Sequence, residues 1–167
     1  VVLVNWQQQP ESPEKIIQVS NASICSIAIS PRSDDLVMVG NFSGDNFSGT
    51  IKLISLHEEK VIREYRKHCS HVQSLRFNED GSKFVSGSAD GTARLYSMYQ
   101  IHPMMKFEGH SHVVLFAGIL HNDERLITCS YDNTIKYWNV HSGKCLLTTK
   151  SKGHVFCGVV SKDEKYI

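Results

Sequence analysis

Long apolar stretches are missing from this chain. The longest uncharged apolar run, residues 113–120, is far shorter than the roughly 20 residues that cross a bilayer, so no membrane segment is expected. Charge of one sign is missing too. Eighteen Lys and Arg stand against seventeen Asp and Glu, a net charge of +1, which removes the field that would draw nucleic acid or an anionic membrane. No C-x-x-C pair occurs among the five cysteines Cys25, Cys69, Cys129, Cys145 and Cys157, so neither zinc nor dithiol redox chemistry is indicated. Unpaired thiols point to a reducing, intracellular setting, cytoplasmic or nuclear. The chain opens Val1-Val2-Leu3-Val4, without Met or a basic leader, and a signal peptide is neither shown nor excluded. The sequons at Asn21, Asn41 and Asn46 would carry glycans only if the chain were secreted.

No phosphate-cradling G-x-x-x-x-G-K-[ST] loop is present, and no pair of carboxylates breaks the surrounding pattern to suggest acid and base work. Cys69, His71, His110 and His112 lack the spacing of four convergent metal ligands. No catalytic residue, metal, cofactor or small-molecule substrate is therefore expected. Disorder is not expected either. Hydrophobic residues make up 41% and charged residues 21%, an ordinary globular balance.

What the sequence does contain is repetition. A segment beginning at His71, HVQSLRFNEDGSKFVSGSADGTARLY, is echoed by HVVLFAGILHNDERLITCSYDNTIKYW from His112; Ser88 and Ser130, Asp90 and Asp132, and Tyr96 and Trp138 each stand 42 residues apart. A third copy runs from Ser23 to Gly40 and resumes at Gly49 after an insertion in which NFSG occurs twice. A fourth begins at His154 and stops in mid-pattern at Ile167, and residues 1–20 look like the tail of an earlier copy. A fixed period of this length signals an array or a propeller.

Within each copy, apolar runs of four to seven residues alternate with the turn clusters NEDGS, SADG, HNDE, SYDN and HSGK, the pattern of short antiparallel strands. Strands are expected at 72–77, 83–87, 92–97 and 104–107, then at 113–119, 125–129, 134–139 and 144–149. Four strands per 42 residues make one propeller blade. The expected architecture is all-β: a β-propeller of four-stranded antiparallel blades, with complete blades at 22–66, 69–108 and 111–150 and partial ones at 1–20 and 154–167, as part of a longer propeller.

The chain resembles the WD-repeat family, whose repeats open with Gly-His and close with Trp-Asp. Gly109-His110 and Trp138-Asn139 bracket the fullest copy, and SGSADGTARLY matches the family's turn and third strand. Tyr96 stands where Trp is usual, Lys67-His68 replaces Gly-His, and Ile54 or Ser55 takes the Trp place in the first full copy. The resemblance implies that His110, Thr128, Asp132 and Trp138 form a structural hydrogen-bond chain, as do His68, Ser86, Asp90 and Tyr96. A Ser-His-Asp reading of these groups fails because they recur once per repeat instead of meeting once. The resemblance also implies a non-catalytic scaffold that binds other proteins on the face carrying the turn before each third strand, at Tyr131, His112, His71 and Ala89. Two other roles known in the family are substrate receptor of a ubiquitin ligase and RNA-processing component. The first is signalled by W-D-x-R, and Trp138-Asn139-Val140-His141 lacks the Arg. The second calls for clustered cations and stacking aromatics, against which the balanced charge stands.

Overall fold

The computed structural model describes residues 2–3, 15–17, 19, 23–43, 48–120, 123–153, 155–156 and 158. Most of the expected partial copies, 1–20 and 154–167, lies outside them, as do Asn21, Asn46, His121, His154 and Cys157. A short pair, β1 (Val2–Leu3) and β2 (Lys15–Ile16), comes first. Three four-stranded antiparallel sheets follow: β3 (Ser23–Ile29), β4 (Leu36–Ser43), β5 (Ser48–Ser55) and β6 (Lys60–His68); β7 (Val72–Phe77), β8 (Lys83–Ser88), β9 (Ala93–Ser97) and β10 (Pro103–Phe107); β11 (Val114–Leu120), β12 (Arg125–Ser130), β13 (Thr134–Asn139) and β14 (Cys145–Lys150). Each sheet is a simple meander in chain order. No helix occurs among the described residues. The architecture is the all-β, propeller type.

Side chains alternate across a strand, and here both sets are used. In β8, Phe84 packs against the first sheet with Met38, Ile51, Leu53 and Tyr65, whereas its neighbour Val85 packs against the third with Val114, Leu126 and Trp138. Tyr96 and Leu95 divide in the same way. The buried apolar residues of the middle sheet thus divide between the two seams. Aromatic rings fill the first seam, with Phe84 stacked on Tyr96 at 4.9 Å and met edge-on by Tyr65 at 5.0 Å. Burying one such ring contributes roughly 1.5–3 kcal/mol, so the sheets stabilise each other more than any stabilises itself. Ile17 and Val19 cover the opposite side of the first sheet, against Val37, Val39 and Ile54. Val155 lies on the outward side of the third, against a cluster that includes Phe116, Ile127 and Cys129.

The seams close tightly where the first strand of one sheet crosses the second strand of the sheet before. A β-carbon on Gly87 would lie 2.9 Å from Val114 Cγ1 and 3.1 Å from its carbonyl oxygen; only hydrogen fits. Register places Gly40, Gly87 and Cys129 at one repeated position, opposite Ser26, Ser74 and Phe116. Ser26 Oγ donates to Val72 O at 2.8 Å, and Ser74 Oγ accepts from Ala117 N at 3.0 Å, tying successive first strands together. All three first strands carry an irregularity at the same place, between Ile24 and Ser26, Val72 and Ser74, and Val114 and Phe116.

Strand pairing settles which residue holds the Trp place in the first sheet. Trp138 pairs with Leu126 and Tyr96 with Phe84, and Ile54 pairs with the equivalent Val37, so Ile54 holds it and Ser55 does not. Asn41 is 2% exposed and accepts a hydrogen bond from Thr50 Oγ1, which leaves its amide no access for a glycan in the folded chain. Cys25, Cys69 and Cys145 are free thiols.

Candidate functional site

The turns sort into two ends of the sheets. At the upper end lie the β8–β9 and β12–β13 turns and the β6–β7 and β10–β11 connections; at the lower end lie the β3–β4, β5–β6, β7–β8 and β9–β10 turns. All twelve residues singled out by sequence, apart from the ring positions Trp138 and Tyr96 and the mid-strand hydroxyls, belong to the upper end.

In the third sheet, His110 sits on the connection from β10 and reaches forward into the next sheet. Its Nδ1 lies 2.8 Å from Asp132 Oδ2 and its Nε2 2.7 Å from Thr128 Oγ1, while Trp138 Nε1 donates to Thr128 Oγ1 at 2.8 Å. An indole N–H can only donate. Thr128 oxygen therefore accepts from Trp138 and has its own proton left for Nε2, which is the arrangement of a neutral imidazole carrying hydrogen on Nδ1. Burial pushes the His110 pKa below its ordinary value, with Asp132 opposing, in keeping with that neutral form. Asp132 also accepts from Ser111 N at 3.0 Å, Thr134 N at 2.8 Å and Thr134 Oγ1 at 2.5 Å. Burial would raise its pKa, but the bonds from Thr134, His110 and Ser111 prevail and hold it at about 2.

The middle sheet repeats this arrangement up to one point. His68 Nδ1 lies 2.7 Å from Asp90 Oδ2 and Nε2 2.7 Å from Ser86 Oγ; Cys69 N and Thr92 N donate to Asp90 at 3.1 and 3.0 Å. Burial lowers the His68 pKa. Hydrogen bonds from His68, Thr92 and Cys69 outweigh the effect of burial on Asp90 and hold its carboxyl well below the usual range. Tyr96 is the exception. It was expected to extend the chain as Trp138 does, yet its hydroxyl is buried without a hydrogen-bond partner. The phenol carries its polar atom at the far tip of the ring, whereas an indole carries N–H on its flank, so Tyr96 passes Ser86 without bonding it. Ser86 Oγ instead approaches Arg94 O at 3.4 Å. Gly109 lies under the Trp138 ring, where an added β-carbon would sit 3.3 Å from Cη2; Lys67 holds the corresponding sequence position in the repeat that carries Tyr96. The first sheet has Val39 and Ile54 where the others carry hydroxyl and ring.

Thr92 and Thr134, each donating twice to its aspartate, were not singled out by sequence. Their separation of 42 residues was the available signal.

The four face residues divide. Tyr131 is 37% exposed and its ring centre lies 4.9 Å from that of His112, with Phe156 edge-on at 6.1 Å. His71 stacks on Phe42 of the preceding sheet at 3.9 Å. Ala89 holds the place equivalent to Tyr131, and its N–H donates to His71 O at 2.9 Å as the Tyr131 N–H donates to Val113 O at 3.0 Å. His71 is thus equivalent to Val113, and His112 to Ser70, whose carbonyl accepts from Ser88 Oγ as His112 O accepts from Ser130 Oγ. Aligning the two histidines as repeat starts puts them one residue out of register; the fixed spacing of the serines and aspartates is the correct frame. Phe42 and Phe156, which the repeat pattern does not mark, share this face through their ring contacts with His71 and Tyr131.

No group of three or more His, Cys, Asp or Glu side chains able to hold a metal occurs among the described residues. Nor is any helix there long and apolar enough to cross a membrane.

The family profile described as "WD domain, G-beta repeat" matches residues 59–97 and 101–139. THO complex subunit 3 of Arabidopsis thaliana is 33% identical over 110 residues, covering 62% of this chain and 33% of its own length. Apoptotic protease-activating factor 1 of Rattus norvegicus is 30% identical over 101 residues, covering 60% of this chain and 8% of its own. SIR4-interacting protein SIF2 of Saccharomyces cerevisiae is 27% identical over 120 residues, covering 71% of this chain and 22% of its own. The chain therefore spans a third or less of these relatives. Among solved structures, that of U3-55K superposes with a TM-score of 0.74 at 18% identity, covering 86% of this chain and 44% of that one.

Proposed function

Since the chain belongs to the WD-repeat family, whose domains generally mediate protein–protein contact, we propose that it is a non-catalytic interaction scaffold within a larger intracellular assembly, docking a partner protein on its upper end. The observation that carries this reading is the His112–Tyr131 ring pair, exposed at the surface on turns whose backbones are pinned to the sheet. Exposed tyrosine combines large contact area with a polar tip and is common at binding hot spots, and a rigid scaffold spares it the entropy of ordering. Ala89 and His71 continue the same face. By their names, THO complex subunit 3 is an assembly subunit and SIF2 binds another protein, which fits this class of role.

The recurring His, hydroxyl and Asp groups we read as architectural. Ser86 and Thr128 are 0% exposed, where a nucleophile would have to meet substrate, and each histidine links the end of one sheet to the next. The free thiols of Cys25, Cys69 and Cys145 suit a reducing compartment, cytoplasm or nucleus.

The test is affinity purification of the full chain and of its Tyr131→Ala/His112→Ala variant, with partners identified by mass spectrometry. Recovery of specific partners should fall about tenfold while urea unfolding is unchanged. Undiminished recovery would remove the upper end from the docking surface.

A further inference from the structure

We propose a second interaction surface at the lower end, a groove between the first and middle sheets that receives a linear acidic peptide segment through one bulky apolar side chain. It encloses about 370 Å³, at the small end of ligand-sized pockets. Leu36, Leu53 and the 7%-exposed Met98 form its floor. Ile62, 41% exposed, and Tyr99, 79% exposed, form its rims. Two such side chains facing solvent across an apolar floor are unfavourable in isolation, and exposed apolar patches of this kind mark contact sites.

The groove is prepared rather than loose. Met98 O accepts hydrogen bonds from Tyr65 Oη, at 3.1 Å, and from Arg63 Nη1, so the outer strand of the first sheet is fastened to the end of β9 in the next. The backbone of the Tyr99 turn is fixed by Tyr99 N to Ser97 Oγ at 3.2 Å and Gln100 N to Ser97 O at 3.3 Å. The Tyr99 side chain stands outward from this turn, 79% exposed. A peptide would meet little ordering cost on the protein side.

Charge selects the occupant. Two guanidinium groups, Arg32 and Arg63, line the groove against one carboxylate, Asp80, and Asp80 Oδ1 already accepts the Ser82 N–H at 2.8 Å. The stem of Arg32 lies across the seam over Gly81, which sets its charge beside the opening. Guanidinium forks pair with carboxylates in preference to other peptide groups. The segment that fits has Leu or Phe at its centre and Asp or Glu on either side.

The full chain is titrated by fluorescence anisotropy against fluorescein-labelled heptapeptides with Phe, Leu or Ala at the centre and either Asp/Glu or Lys flanks. Acidic peptides with Phe or Leu should bind, and Ala at the centre or Lys in the flanks should weaken binding by about tenfold or more. Tyr99→Ala and Arg32→Glu, both at exposed positions, should each cause a similar loss, while Tyr131→Ala leaves binding unaltered. Absence of binding by every acidic peptide, equal binding of the Lys-flanked set, or retention of affinity in Tyr99→Ala would each overturn the proposal. Loss caused by Tyr131→Ala would move the site to the upper end and overturn it as well.

Discussion

Replacing Asp132 by alanine isolates the contribution of one buried carboxylate to the seam between sheets. The side chain accepts four hydrogen bonds, from His110 Nδ1, Ser111 N, Thr134 N and Thr134 Oγ1. Ser111 is exposed and Thr134 partly so, so water can replace the acceptor there at small cost. His110 differs, because its side chain is 1% exposed and its N–H would be left unpaired, a loss of about 1–3 kcal/mol. Adding about 1 kcal/mol for the turn bonds, which resemble those of a helix cap, gives a total of about 3 kcal/mol. For a chain of this size that is a fall in Tm of about 6–12 °C. Urea unfolding of the full chain, followed by tryptophan emission and by circular dichroism, measures it. A double-mutant cycle with Thr128→Val should show coupling, since both positions act through the same imidazole. A loss no larger than that of the surface change Tyr131→Ala, about 0.5 kcal/mol or less, would refute the idea that this network holds the seam.

Gly87→Ala should cost about 1–3 kcal/mol by forcing Val114 away from β8; an unchanged urea midpoint would mean that the seam is slacker than its geometry. Tyr96→Phe removes a buried hydroxyl that has no partner and should be neutral or stabilising by about 1 kcal/mol, whereas Trp138→Phe, which takes the N–H from Thr128, should destabilise; equal losses would contradict the difference between the two rings. Acid should act in two windows. Folded His68 and His110 have lowered pKa values, so their contribution is complete above about pH 6.5 and declines below it as the unfolded chain takes up the protons. Asp132, held at about 2 against about 3.9 unfolded, contributes on the order of 2–3 kcal/mol above about pH 4 that disappears as the pH falls towards 2. In Asp132→Asn the lower window should shrink, and a parallel pH profile for parent and variant would count against the assignment.

The meander of short strands was legible because turn residues recur at a fixed distance: Asp90 and Asp132 mark equivalent corners, and the strands lie within a residue or so of their expected bounds. The His–Asp pairs were legible for the same reason. Tyr96 was not, because residue type at a repeated position says that a ring is present and nothing of where its polar atom points. His71 and His112 misled because two like residues one place out of step look equivalent in the chain, and only the backbone bonds to Ala89 and Tyr131 separate them. Phe42 on the upper face and the lower groove were hidden for a different reason. Both arise between sheets, from residues of different repeats, and no local pattern encodes which turn will face which.

The glycine at the crossing of each seam bears on how such a chain can change over time. Gly40 and Gly87 each admit a valine from the sheet that follows, but the third position carries Cys129, so the three modules present different sockets. Moving the third module ahead of the middle one would set the Cys129 side chain where Val72 now closes on Gly40, and the linear order of the modules is therefore itself a heritable part of the fold.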